Sequence, residues 1–144
     1  MPITDPNQAY FKDGGWSWTG SKWIKGGLPF EYASQVLGEV IDTNAGAGNN
    51  FLAGGAVPDG YIWVITSMVA ININHNMSGV RLGVLVGATH NWAAATGALL
   101  AKVGYSWAGQ LILVKDDKPE AMFQGCTAGD DLYFYYFGYA MRLT

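Results

Sequence analysis

The chain has 144 residues, half of them hydrophobic and 13% charged. That fits one domain with a real core, and excludes a long disordered chain or a charge-rich coiled coil. Eight Lys and Arg against eleven Asp and Glu give a net charge of −3; no stretch gathers basic residues, so electrostatic binding to nucleic acid is not expected.

Residues 1–13 read as an arm, with Pro2, Pro6 and Asn7 and no periodicity. They lack the basic start and apolar run of a secretion signal. Two short alternating runs then flank Thr19, Gly20 and Ser21, a hairpin signal that sets Trp16 and Trp18 on one strand and Trp23 on the next. Gly26, Gly27 and Pro29 separate this unit from the main body. The expected organisation is an arm with a Trp hairpin over residues 1–27 and a β-domain over residues 28–144.

The main body reads as strands. Residues 34–40 place Val36 and Val40 on one face and Leu37 on the other, and residues 42–50 form a small-residue loop. A short strand follows at residues 51–53, then a turn at residues 57–60. In residues 61–74 every odd position from Tyr61 to Ile73 is apolar or small, so the odd side faces the core; the even side ends in Asn72 and Asn74 and partly meets water or a neighbour. Val80, Leu82, Val84 and Val86 form the inward face of the next strand. Residues 92–103 read two ways: their alanines permit a helical turn or two, and Gly97 and Gly104 oppose anything long.

Residues 110–115 and 120–126 read as strands, the second with Met122 and Phe123 on opposite faces. Residues 127–130 turn, and residues 131–143 form a long strand apolar on both sides, as a strand covered on both faces should be. About eight strands without a sustained helix predict an all-β fold, a β-sandwich or jelly roll. The longest apolar stretches, residues 61–73 and 132–141, are too short and interrupted to span a membrane. The expectation is a soluble domain folded in a reducing compartment.

Chemistry-bearing residues are few. One cysteine and two histidines exclude a disulfide framework and leave the usual Cys/His zinc sites short of ligands. His75 and His90 read as exposed loop residues, and Cys126 as a small core residue. The paired acids Asp116–Asp117 and Asp130–Asp131 sit in turns, where aspartate mostly bonds its own backbone. A hydrolase using Asp117 and Asp130 is the weakest of the functional readings. No phosphate-cradling loop and no nucleophile elbow are present. The chain therefore reads as non-enzymatic, with no catalytic residue, cofactor or metal expected.

What remains is surface. With so little charge, an aromatic-rich exterior points to burial against copies of the chain or a partner. Trp16, Trp18 and Trp23 exceed what a ten-residue hairpin can hide and are the candidate interface anchors. A second class is glycan recognition, with Trp92, Tyr105 and Trp107 as stacking platforms and Asn72, Asn74, Asn76 and Asn91 as hydrogen-bonding groups.

The segment Trp16-Ser17-Trp18-Thr19-Gly20-Ser21-Lys22-Trp23 resembles the W-x-W-x-G-x-x-W-type hairpins near the start of tailed-bacteriophage structural proteins. The acidic turn at Asp116–Pro119, the Thr127-Ala128-Gly129-Asp130 turn before the aromatic last strand, and Val57-Pro58-Asp59-Gly60 before Tyr61 are similar to the same proteins. The resemblance implies a virion component assembled in the host cytoplasm, and a homotrimer. It covers capsid decoration or cement proteins, head fibres and tail-tip proteins alike. The first expectation is a decoration protein docking on a major capsid protein or another virion protein. The alternative is a tail or fibre tip module that recognises host surface glycans.

Overall fold

The structure, a computed structural model, describes residues 30–143, with side chains over 31–142, and the backbone of three short strands before them. These are β1 (Phe11–Lys12), β2 (Trp16–Trp18) and β3 (Trp23–Lys25), an antiparallel sheet in that order. The expected hairpin is present: Trp16 pairs with Lys25 and Trp18 with Trp23. Its turn at Thr19–Ser21 and residues 1–10 of the expected arm lie outside the described residues.

Eight longer strands follow: β4 (Phe30–Asp42), β5 (Gly48–Ala53), β6 (Tyr61–Asn72), β7 (Gly79–Val86), β8 (Thr89–Thr96), β9 (Tyr105–Leu113), β10 (Lys118–Cys126) and β11 (Leu132–Leu143). They form two antiparallel sheets, β4-β11-β6-β9 and β5-β10-β7-β8, called here the first and second sheet. Counted from β4, strands one, eight, three and six share the first sheet and two, seven, four and five the second. That order is an eight-stranded jelly roll, as the strand pattern predicts.

The core lies between the sheets. Ile65, Met68, Leu132 and Phe134 come from the first sheet, and Val80, Leu82, Ala121 and Phe123 from the second; all are fully buried. Each large apolar side chain hidden this way contributes about 1.5–3 kcal/mol. Phe123 faces this core and Met122 the other side of β10, as expected.

Three sequence expectations need correction. The odd positions of residues 61–74 face the core only as far as Ile65; beyond it Met68, Ala70 and Asn72 are fully buried, and Val69 and Ile71 are half-buried on the outer side. A β-bulge exchanges the faces. Phe137 and Gly138, adjacent in β11, pair with Ser67 and Ile65, so Thr66 is an extra residue, and one extra residue reverses the alternation. Gly138 admits the close approach, since a Cβ there would lie 1.9 Å from the Val64 carbonyl oxygen.

Second, the stretch 92–103 contains no helical turn. Ala94 and Ala95 pair with Leu82 and Arg81 in the edge strand β8, and sheet pairing overrides the helix preference of alanine. Third, strands begin earlier than apolar runs suggest: β5 at Gly48 and β9 at Tyr105. Backbone hydrogen bonds continue through small and polar residues that carry no hydrophobic signal.

The last strand bears directly on function. On β11, Leu132, Phe134 and Tyr136 are buried against the second sheet, and Tyr133, Tyr135, Phe137 and Tyr139 point outward and are half-exposed. The sequence expects cover on both faces. Among the described residues only the inner one has it.

Candidate assembly interface

Pairing registers place the outward residues of the first sheet in rows that run across it. Ile41, Tyr133 and Ile71 form one row, and Glu39, Tyr135, Val69 and Ser106 the next. Leu37, Phe137, Ser67 and Ala108 follow, then Gln35, Tyr139, Val64 and Ile112. A second bulge in β4, at Ala33, keeps Tyr32 outward beside Met141 and Ile62. Leu37 is 69% exposed and Ile112 67%, with Tyr32 and Ile41 also open to solvent. Across these five rows the single charged group is Glu39. Burial, and then the Glu39 carboxylate, hold the Tyr135 phenol above its usual range.

The outward face of the second sheet is built differently. Arg81 is exposed, and Lys118 and Gln124 are half-buried. Glu120 pairs with Ala53 on one side and Gly83 on the other, yet is only 1% exposed. Three stacked rings accompany it: Phe51 on His90 at 4.7 Å and His90 on Trp92 at 5.6 Å between centroids. His90 Nδ1 lies 2.7 Å from Glu120 Oε1. This pair joins β8 to β10 across β7, tying an edge strand to an inner one.

The other histidine also holds a buried acid. Asp130, fully buried, lies 2.5 Å from His75 Nδ1 and accepts hydrogen bonds from the Asn72 amide at 2.7 Å and the Thr127 N–H at 2.9 Å. Burial alone would raise its carboxyl, but the hydrogen bonds from His75, Asn72 and Thr127 outweigh it and hold the group below its ordinary value. Asn74 adds a clasp, accepting from the Asp131 N–H at 2.6 Å. The network fastens the loop after β6 to the turn before β11. Both histidines are exposed, as expected, and His75 lies in the loop after β6, whereas His90 stands in β8 rather than in a loop; the acids that hold them come from 55 and 30 positions away, which no local pattern records.

The acids do not form a reactive pair. Asp117 precedes β10 and Asp130 follows it, so a strand of about 30 Å lies between them, against the 5–10 Å of paired catalytic carboxylates. Asp117 accepts from the Val114 N–H within its own turn. Cys126 is buried in the core, and burial, the largest influence, pushes its thiol up, away from the reactive thiolate. Among the described residues no group of three or more His, Cys, Asp or Glu side chains converges.

The glycan candidates do not share a surface. Trp92 stands on the outer side of the second sheet, within the ring stack. Tyr105 and Trp107 turn inward from β9 and pack against the core, and the Tyr105 hydroxyl donates to the Ala95 carbonyl at 3.2 Å. Asn72 is wholly buried and bonded to Asp130, a correction to its expected exposure; Asn74 is committed to Asp131. Asn76 and Asn91 are exposed, with Asn76 accepting from the Ala101 N–H. Trp16, Trp18 and Trp23 lie on the paired strands β2 and β3, and their side chains fall outside the described residues. The rows of the first sheet escape a linear reading because the bulges at Thr66 and Ala33 decide which residues share a side.

No protein-family model and no curated protein matches the sequence. Solved structures do match in shape. A chain of the acid-stable capsid structure of Helicobacter pylori bacteriophage KHP30 superposes with a TM-score of 0.54 at 10% identity, over 76% of this chain and 90% of that one. A chain of infectious bursal disease virus, Gx strain, gives a TM-score of 0.35 at 11% identity, over 78% of this chain and 30% of that one. The jelly roll described here is therefore similar in fold to a chain of a viral capsid.

Proposed function

We propose that this chain is a non-enzymatic structural component of a virus particle, a homo-oligomeric capsid decoration protein that docks through apolar and aromatic surface. The observation that carries this reading is the outward face of the first sheet, uncovered among the described residues, with five rows of side chains and one charge among them. A free protein normally keeps charge on such a face. The likeness of fold to a phage capsid chain supports the same reading, although a jelly roll also serves lectins and cupins, so the face and not the fold makes the argument. In this reading the arm and hairpin, residues 1–27, reach a shell subunit with Trp16, Trp18 and Trp23 as anchors, and association draws on about 25 cal/mol per Å² of apolar area hidden.

The test is occupancy on particles. Full-length protein binds isolated shells and is seen on them at regular positions; protein lacking residues 1–25 binds at least tenfold more weakly. Undiminished occupancy of the shortened protein removes the docking role of the arm. Failure of the full-length protein to bind any shell removes the capsid reading. The glycan alternative keeps one exposed observation, Trp92 in its ring stack, and glycan-array binding lost in Trp92→Ala would favour it.

A further inference from the structure

We infer that the outward face of the first sheet seats a second copy of this chain, the two faces packed against each other about a twofold axis that runs along the strands. The proposal deepens the assembly reading above by naming the surface and its occupant, and it stands on three features of that face.

The first is relief. In the middle rows the outward side chains of the β4–β11 half are larger than those of the β6–β9 half, while Ile71, Ile62 and Ile112 stand on the latter toward the ends of the face. Phe137 shares a row with Ser67, Tyr135 with Val69, and Leu37 with Ala108. A twofold axis along the strands, midway between β11 and β6, lays β4 of one copy over β9 of the other and β11 over β6. In the middle rows the larger side chains of each copy then meet the smaller ones of its mate, Phe137 over Ser67, Tyr135 over Val69 and Leu37 over Ala108. The middle of the face is thus complementary to itself under this operation, and the contact is isologous.

The second feature is charge. The axis carries the two Glu39 side chains to opposite borders of the contact, each over the row that ends in Ser106 of the other copy, so no like charges meet. A partner selected by electrostatic complementarity would find one carboxylate to answer. A second copy needs none.

The third is area. Four strands at about 4.8 Å spacing, with roughly nine residues of 3.4 Å in each, cover about 600 Å² in projection. That is of the same order as the roughly 800 Å² that each partner brings to a standard interface. Two such faces, packed about 10 Å apart and slightly rotated by their twist, repeat the geometry of the sandwich core itself.

The experiment is the molar mass of the full chain by light scattering over a hundredfold range of concentration. The expected result is a two-copy mass that falls to one copy on dilution. Leu37→Lys and Phe137→Lys shift that dissociation to at least 100-fold higher concentration, because each buries an unpaired charge; Ala95→Lys, exposed on the second sheet, leaves it unchanged. A one-copy mass at every concentration overturns the proposal. So does a three-copy mass, since two like faces close on themselves, or a two-copy mass that both lysine variants retain. Hydroxyl-radical labelling of Tyr133 and Phe137 in the unaltered chain gives a second reading that needs no variant: labelling rises on dilution if the face is covered by a copy, and stays constant if it is not. Binding to shells is measured separately, so loss of the twofold leaves the virion reading standing, and loss of shell binding leaves the twofold standing.

Discussion

The two sheets of this sandwich solve the problem of an outward face in opposite ways. The second sheet carries Arg81 and Lys118 on its outer side and buries Glu120 and Met122 beneath a stack of Phe51, His90 and Trp92, of which Phe51 remains 48% exposed. The first sheet carries its rings side by side, with Tyr133 and Tyr135 stacked at 6.3 Å, and leaves them half-open. Charge on the one face suits water as its lasting neighbour. Lack of charge on the other suits protein. The contrast lies within one small domain, so overall composition does not account for it.

The comparison extends to the backbone. Each sheet has a bulge facing a glycine, Thr66 near Gly138 in the first and Ala93 near Gly83 in the second, and in both a Cβ would lie 1.9 Å from a carbonyl oxygen. Their costs should differ. Gly138 sits on β11, paired on both sides with β4 and β6, whereas Gly83 presses on the edge strand β8, which has room to move away. Gly138→Ala is expected to cost at least about 3 kcal/mol and Gly83→Ala about 1–2, read from urea midpoints. Equal costs would mean that the edge is as fixed as the centre.

Two acids sharpen the contrast next. Glu120→Ala strips His90 of its partner and opens space beneath the ring stack, for about 1–3 kcal/mol of stability. Glu39→Ala on the first sheet removes an exposed carboxylate with no described partner and should change stability by less than about 0.5 kcal/mol. Thermal unfolding of the two variants side by side decides this, and a larger loss for Glu39 would reverse the assignment of the two faces.

Acid separates the faces from the ends of the sandwich. Asp130 is held below its ordinary value in the folded chain, so the unfolded chain binds its proton first as pH falls. Its contribution is present above the unfolded value of about 3.9 and is lost as pH drops through the folded value. Asp130→Asn should therefore be less stable than the parent chain at neutral pH, with the gap narrowing below about pH 4. A gap that stays constant from pH 7 to pH 2 would remove Asp130 as the titrating group.

Much of the fold is legible in the sequence because alternation and turn residues are local. Val80, Leu82 and Val84 announce an inward face, and Thr127 to Asp130 announce a turn. The alanines of β8 do not, since their state is settled by pairing with β7. The proposed interface is legible only as a quantity, in the sense that too few charges are left for the surface. Its location is not, because Thr66 and Ala33 look like ordinary strand residues and become bulges through the strands beside them. The buried acids were hidden for a similar reason: Glu120 and Asp130 meet their histidines across strands, over sequence distances that carry no motif.

The smallest expected effect on folding is the most informative about assembly. Leu37 and Ile112 are the two most exposed large aliphatic residues of the first sheet, at 69% and 67%, and they stand on opposite edge strands. In a chain that stays solitary, Leu37→Ser and Ile112→Ser replace solvent-exposed carbon and should leave stability within about 0.5 kcal/mol. If the face is covered in the assembly, each residue gives up apolar contact worth about 25 cal/mol per Å², and the loss is counted twice because both copies carry the change. Unfolding measured at low concentration should therefore be nearly unaltered, while association weakens at least tenfold for either variant. A fall in folding stability with unchanged association would place these side chains in the service of the monomer, and the two faces would then differ in packing alone.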